Sequence, residues 1–115
     1  MLDITEHTAG DVTVLRLAGR LVLEDAETPL FAHIDRLFEL GRHKLVLDLR
    51  QVTYIDSAGL GWLVAKFAGA RRRGGDLRFV HITERTRHLM TITNLKTVFA
   101  IFESEADAVR SFSDS

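Results

Sequence analysis

The sequence predicts a single α/β domain in which a mixed, largely parallel central sheet of four to five strands packs with about four helices. Three observations lead to this prediction: a hairpin pattern at the start, a nearly continuous apolar strand in the middle, and an alternation of strands with amphipathic helices after the hairpin. The 115 residues are 46% hydrophobic and 27% charged, which is the mix of an ordinary globular chain. That length has room for one core, so residues 1–115 are assigned to one domain.

The first two extended segments predict an antiparallel hairpin. Apolar and polar residues alternate over 12–17 as on a half-buried strand, and Ala9-Gly10-Asp11 separates this segment from residues 3–7. A short extended piece over 21–23 follows the hairpin.

The first helix is expected to begin at Thr28 and Pro29. Threonine is a suitable N-cap and proline favours the first helical position, although the acidic residues just before them could begin the helix earlier. An apolar face then continues to Phe38, and Gly41 supplies the stop.

The middle of the chain predicts a buried strand followed by a long helix. Residues 45–49 are almost all apolar, as expected for a central strand covered on both faces. The helix is expected from about Ser57 to Arg73, with arginines where cations favour the helix dipole, and Gly74 ends it.

The last third predicts two more strands and two short helices. Residues 77–80 form the next strand, and a helix from Thr83 to about Ile92 is expected to point Leu89 and Ile92 into the core. The last strand is expected over 98–102. Ser104 then resembles the N-cap of a terminal helix.

Composition argues against several classes of function. The net charge of −1 comes from 15 basic and 16 acidic residues spread along the chain, which disfavours nucleic acid as a partner. There are no cysteines, and the five histidines do not pair at metal-site spacings, so no metal and no cofactor is expected. The acidic start and the lack of ~20 uninterrupted apolar residues predict a cytoplasmic protein without membrane insertion.

The most informative segment is 52–61, which passes from a strand into the long helix and places Ser57 at the helix start. The free amides of a helix N-terminus favour an anion, so a phosphate on Ser57 would be tolerated. The plain alternative is that Asp56 or Ser57 is only a helix cap. A hydrolase elbow, a P-loop and a dinucleotide fingerprint each lack a required glycine or lysine here, so no catalytic residue is assigned and no enzyme activity is expected. Asp48, which is expected to end the central strand, is assigned a loop-stabilising or capping role.

One side of the long helix predicts a docking surface. Small residues lie opposite its apolar stripe and would let another protein approach closely, with Trp62 as an anchor if its ring is exposed. The alternative is that Trp62 packs against a neighbouring loop. The residues on this side are Ala58, Gly61, Trp62, Ala65 and Gly69.

These residues resemble the STAS domain family and, within it, the bacterial anti-sigma factor antagonists. The resemblance depends on the apolar strand over 45–49 and the motif over 52–61, with support from residues 19–21 and 74–77. It covers residues 12–112 and implies a single STAS-like domain.

The resemblance implies regulation of transcription by partner switching. Ser57 would be phosphorylated by an anti-sigma factor that is itself a serine kinase, and a serine phosphatase would reverse the modification. The unphosphorylated form would bind the anti-sigma factor and free the sigma factor. The alternative is a STAS regulatory subunit of a transporter or larger signalling complex, and a small hydrolase using Ser57 is a third hypothesis. The sequence leaves open whether the chain forms a homodimer.

Two positions depart from the family pattern. Many members have a second Ser or Thr where this chain has Ala58, so Ser57 is the only acceptor in the motif. An aspartate is usual where Val22 stands, and Glu24 and Asp25 are the displaced acids that could replace it. The residues expected to bind the partner are therefore Asp56, Ala58, Gly61, Trp62, Ala65, Glu24 and Asp25.

Overall fold

The computed structural model describes residues 2–113, apart from the side chains of residues 23–28. Five strands form one sheet in the order β1-β2-β3-β4-β5. The strands are β1 (Leu2–Ala9), β2 (Val12–Leu21), β3 (Lys44–Ile55), β4 (Asp76–Val80) and β5 (Ile101–Phe102). The helices are α1 (Leu23–Glu39), α2 (Ser57–Arg72), α3 (Glu84–Ile92) and α4 (Glu105–Ser113), with a short 3-10 helix at Leu95–Thr97. The predicted fold class is confirmed.

The predicted hairpin is present and sets one edge of the sheet. β1 and β2 pair in antiparallel fashion from Leu2 opposite Gly19 to Ala9 opposite Val12. Gly10 in the connecting turn has a φ of +65°, a left-handed conformation that glycine adopts without strain.

The remaining strand pairs are parallel, which brings their carboxyl ends to the same edge of the sheet. We call this the carboxyl edge. α1 follows β2 there, α2 follows β3, and α3 follows β4. α4 likewise follows β5. The N-termini of the four α-helices in the described part of the chain therefore lie along one edge, where α/β proteins commonly bind their ligands.

The helices divide between the two faces of the sheet. α1, α2 and α3 cover one face, where the larger core contains Leu30, Ile34, Leu60, Leu63 and Met90 from the helices and Leu47, Leu49 and Phe79 from the strands. α4 covers part of the other face, where Ala108 and Phe112 pack on Val14, Val46 and Val80. Burial on both faces explains the continuous apolar run in β3.

β3 is longer than predicted, because it continues to Ile55 instead of ending near residue 49. Its pairing with β2 shifts register twice, and these irregularities carry the buried positions from Leu49 to Val52 and then to Ile55. Because these buried positions are irregularly spaced, a period-two pattern does not indicate this part of the strand.

The start of α1 was predicted wrongly. The helix begins at Leu23 after Val22, so Pro29 lies inside the helix and Thr28 is not its N-cap. The alternative of an earlier start within the acidic segment is the one observed.

The segment after α3 also differs from its prediction. Ile92 is 65% exposed, and Met90 is the buried residue of that turn. Val98 follows the 3-10 helix and is exposed, so the last strand is reduced to Ile101 and Phe102. Among the described residues, no helix combines the length and apolarity needed to cross a membrane.

Candidate functional site at the carboxyl edge

Asp56 and Ser57 have different roles at the start of α2. Asp56 has an extended backbone, and its carboxylate accepts a hydrogen bond from the Gly59 N–H at 2.7 Å, so it is the N-cap. Ser57 is the first helical residue and is exposed, as is Ala58. Among the described side chains, none forms a hydrogen bond with the Ser57 hydroxyl. The cap interpretation therefore holds for Asp56 and leaves the Ser57 hydroxyl accessible to a modifying enzyme.

Gly59 fixes the start of α2 against the end of β2. A Cβ atom at this position would lie 2.3 Å from the Leu21 carbonyl oxygen, so only glycine permits this close approach. Leu21 in turn pairs with Ile55, the last residue of β3. The Ser57 position is consequently held by a rigid junction of two strands and a helix.

The exposed-anchor prediction for Trp62 is wrong. Its side chain is only 7% exposed and packs edge-on against Phe31 of α1, since α1 and α2 lie side by side on the sheet. Lys66 places its Nζ atom over both rings. Trp62 is therefore a core residue and is removed from the candidate docking surface.

The small residues around Ser57 remain on the surface. Ala58, Gly61 and Ala65 are all exposed, and a Cβ added at Gly61 would meet no atom within 4 Å. We call Ser57, Ala58, Gly61 and Ala65 the small-residue face. Gly69 is buried beside Phe38 and does not extend it.

The predicted acids Glu24 and Asp25 have side chains outside the described residues. Their backbone belongs to the first turn of α1, which follows β2 at the carboxyl edge. That position is on the same edge as Ser57, and their contacts with a partner stay a prediction.

Sequence reasoning missed a cluster of two arginines and one tyrosine beside Ser57. The Arg20 guanidinium carbon lies 5.6 Å from the centre of the Tyr54 ring, and that of Arg85 lies 4.1 Å from it. β2 pairing places Arg20 opposite Tyr54, and the first turn of α3 contributes Arg85. We call these three residues the Arg–Tyr cluster. The one sequence signal for it is Arg85 itself, because a cation in the first turn of a helix opposes the helix dipole.

A separate polar pocket of about 500 Å³ lies on the other side of the sheet. Asp48 lies within β3 and not at its end, so the predicted loop-stabilising or capping role is wrong; its carboxylate accepts the Arg50 N–H at 3.0 Å inside the strand. His81 Nδ1 lies 3.3 Å from the Asp48 carboxylate. This contact joins β3 to the residue that directly follows β4.

Glu105 ties α4 to the hairpin across this pocket. His7 lies 2.8 Å from one carboxylate oxygen, and Arg16 donates to the other at 3.2 Å. Burial acts to raise the pKa of Glu105, but the hydrogen bonds with His7 and Arg16 outweigh it and hold the pKa below its ordinary value of 4.5. In the described part of the chain, no cluster of three or more acidic, His or Cys side chains could hold a metal ion.

Comparisons with known proteins agree with this geometry. A model of the STAS domain matches residues 3–108. The anti-sigma-B factor antagonist of Bacillus subtilis (strain 168) is 40% identical over 99 residues, which cover 86% of this chain and 81% of that protein. The anti-sigma F factor antagonist of Paenibacillus polymyxa is 22% identical over 104 residues, covering 90% of this chain and 88% of that protein.

A solved structure has the same fold as this chain. The crystal structure of an anti-sigma factor antagonist from Mycobacterium paratuberculosis matches with a TM-score of 0.85 at 22% identity, covering 98% of this chain and 95% of that one. The family match spans nearly the whole sheet and its helices, and the Bacillus subtilis relative matches across most of both chains. The chain therefore belongs to the STAS domain family, among the relatives of the anti-sigma factor antagonists.

Proposed function

We propose that this protein is an anti-sigma factor antagonist controlled by phosphorylation of Ser57. Unphosphorylated, it binds an anti-sigma factor in the cytoplasm and so releases the sigma factor that the anti-sigma factor would otherwise hold. A serine kinase, the anti-sigma factor itself, adds the phosphate, and a serine phosphatase removes it. The identity of 40% to a protein named anti-sigma-B factor antagonist supports this function.

The observation that carries the proposal is the exposed hydroxyl of Ser57 at the N-terminus of α2, which no described side chain engages. Asp56 already caps the helix, so the fold places no demand on that hydroxyl. The first turn of α2 contains no acidic residue, and a phosphoserine there would face the free amides with about −1.5 to −2 charge. Phosphorylation is therefore expected to leave the domain folded.

The effect of the phosphate would be felt across the interface. The small-residue face begins at Ser57 itself and continues through Ala58, Gly61 and Ala65, so a partner lying on it would cover the phosphorylation site. Bringing a charge against an acidic or desolvated partner surface costs several kcal/mol. A cost of about 3 kcal/mol weakens binding roughly a hundredfold, which is enough for a switch.

The test first requires the cognate anti-sigma factor, identified by copurification with this protein from its native cells. Its affinity is then measured for the wild type, Ser57→Ala, Ser57→Asp and a matched control, Ser104→Asp. Ser104 caps α4 on the opposite face of the sheet, so this control adds the same charge at another helix start. We expect only Ser57→Asp to weaken binding, by at least about tenfold.

Two results would contradict the proposal. Equal affinity for the wild type, Ser57→Ala and Ser57→Asp would show that charge at Ser57 does not control binding. The absence of any anti-sigma factor among copurifying proteins would remove the partner itself. Unchanged thermal unfolding of all variants is the check that each difference arises at the interface.

A further inference from the structure

We infer that the Arg–Tyr cluster is the part of the docking surface that receives carboxylate groups of the anti-sigma factor. The inference rests on the proposed function, because it names the chemistry by which the same edge recognises its partner. Its occupant is an acidic segment of that protein. The three residues are Arg20 of β2, Tyr54 of β3 and Arg85 of α3.

The two guanidinium groups are held in place, and no described carboxylate neutralises them. Both lie over the Tyr54 ring, and both arginines are exposed. No carboxylate of the described residues forms an ion pair or hydrogen bond with Arg20 or Arg85. A guanidinium stacked on a ring keeps its N–H groups free at its edge, where they match a carboxylate in bidentate geometry.

Other arginines of the chain show what a structural role looks like here. Arg16 pairs with Glu105 across the polar pocket, and Arg78 of β4 pairs with the buried Asp76 and donates to the Ser111 hydroxyl of α4. Each of these cations ties two parts of the fold together. Arg20 and Arg85 contact Tyr54, and no carboxylate among the described side chains offsets their charge.

The position of Arg85 strengthens the argument. It is the second residue of α3, where the helix dipole disfavours a cation and where the preceding Glu84 is the expected type. Thr83 already caps this helix through the Thr86 N–H. Arg85 therefore slightly destabilises its own helix, which is consistent with a role in binding.

The cluster lies close enough to Ser57 to take part in the switch. Tyr54 lies three positions before Ser57, a span of at most ~11 Å for an extended chain. This is comparable to the Debye length of about 8 Å at physiological salt. A phosphate on Ser57 would repel the same carboxylates that the arginines attract, and it would also compete for the guanidinium groups. Phosphorylation thus opposes the attraction that holds the partner.

A protein carboxylate fits this cluster better than a nucleic acid does. Two cations beside one ring are too few for the basic stripe that a nucleic-acid backbone requires, and the whole chain has a net charge of −1. The small-residue face contains no charged side chain, which suits a packed protein surface.

The test uses the full-length chain and the purified cognate anti-sigma factor. Affinity is measured by calorimetry at low and at high salt for the wild type and for Arg20→Gln/Arg85→Gln. The control is Arg36→Gln/Arg72→Gln, which removes the same charge from exposed positions. Arg72 lies fifteen residues along α2 from Ser57, about 22 Å away at 1.5 Å per residue.

We expect the cluster variant to bind at least tenfold more weakly than the wild type, which corresponds to about 1.4 kcal/mol. Its affinity should also depend less on salt, while the control stays within about twofold of the wild type. Equal affinities of the cluster variant and the control would overturn the inference. If Ser57→Asp still weakens binding of the anti-sigma factor when the cluster variant does not, the proposed function stands without this inference. A wild type that does not bind the anti-sigma factor at all overturns both the inference and the proposed function.

Discussion

The close approach of Gly59 to Leu21 predicts that the same substitution has different effects on stability at two glycines of α2. Gly59→Ala and Gly61→Ala add the same methyl group two residues apart in α2. At Gly59 the new Cβ would lie 2.3 Å from the Leu21 carbonyl oxygen, whereas at Gly61 it would meet nothing within 4 Å. The same change should therefore have opposite effects on stability.

The magnitudes follow from these distances. To reach even 3.0 Å, the Leu21 oxygen and the new Cβ must separate by about 0.7 Å, and Leu21 is backbone held by its pairing with Ile55. Overpacking of this kind costs up to about 3 kcal/mol, offset by the ~1 kcal/mol by which alanine favours a helix over glycine. We expect a loss of about 2 kcal/mol for Gly59→Ala and a gain of up to about 1 kcal/mol for Gly61→Ala.

The assay is urea unfolding combined with calorimetry. At roughly 4 °C per kcal/mol for a domain of this size, Tm should fall by ~8 °C for Gly59→Ala and rise by up to ~4 °C for Gly61→Ala. Gly61→Ala controls for helix propensity because both sites lie in the first two turns. A Gly59→Ala protein as stable as the wild type would refute the claim that this contact fixes the start of α2.

Three further predictions concern the surroundings of the site. Asp56→Ala should lower the free energy of unfolding by about 1 kcal/mol in urea while Asp56→Asn retains most of it, because the carboxylate caps Gly59; an unchanged Asp56→Ala protein would speak against the cap. Trp62, the single tryptophan of the sequence, should resist acrylamide quenching until the protein unfolds, since its ring is buried against Phe31, and quenching as in free tryptophan would contradict that burial. Glu105→Gln should be less stable than the wild type at pH 7, because the lowered pKa of Glu105 means that its ionised form stabilises the fold. The difference in stability should vanish as pH falls through the folded-state pKa of Glu105, which lies below 4.5. A difference that persists unchanged at pH 2–3 would count against the pairing with His7 and Arg16.

Local patterns predicted most of the fold and the position of the candidate acceptor. The alternation in β2, the apolar run of β3 and the glycine after α2 depend on neighbours in sequence, so the hairpin, the central strand and the limits of α2 could be read directly. The start of α2 at Ser57 followed in the same way from the capping preference of Asp56. These features needed no knowledge of distant contacts.

The features that were missed depend on tertiary packing. The apolar positions of β3 after Leu49 follow two register shifts against β2, which no regular period describes. The burial of Trp62 depends on Phe31 of a different helix, and the Arg–Tyr cluster joins residues 20, 54 and 85 from three elements. Each requires the arrangement of neighbouring elements, which a single helix or strand pattern does not contain.

The central claim is that negative charge on one exposed hydroxyl controls partner binding, and one measurement tests it most directly. Protein from native cells is separated into forms with and without phosphate at Ser57, with the site verified by mass spectrometry, and the affinity of each form for the cognate anti-sigma factor is measured. We predict that the phosphorylated form binds about a hundredfold more weakly, a difference of about 3 kcal/mol, with no loss of folded structure. Equal affinities of the two forms would contradict the account.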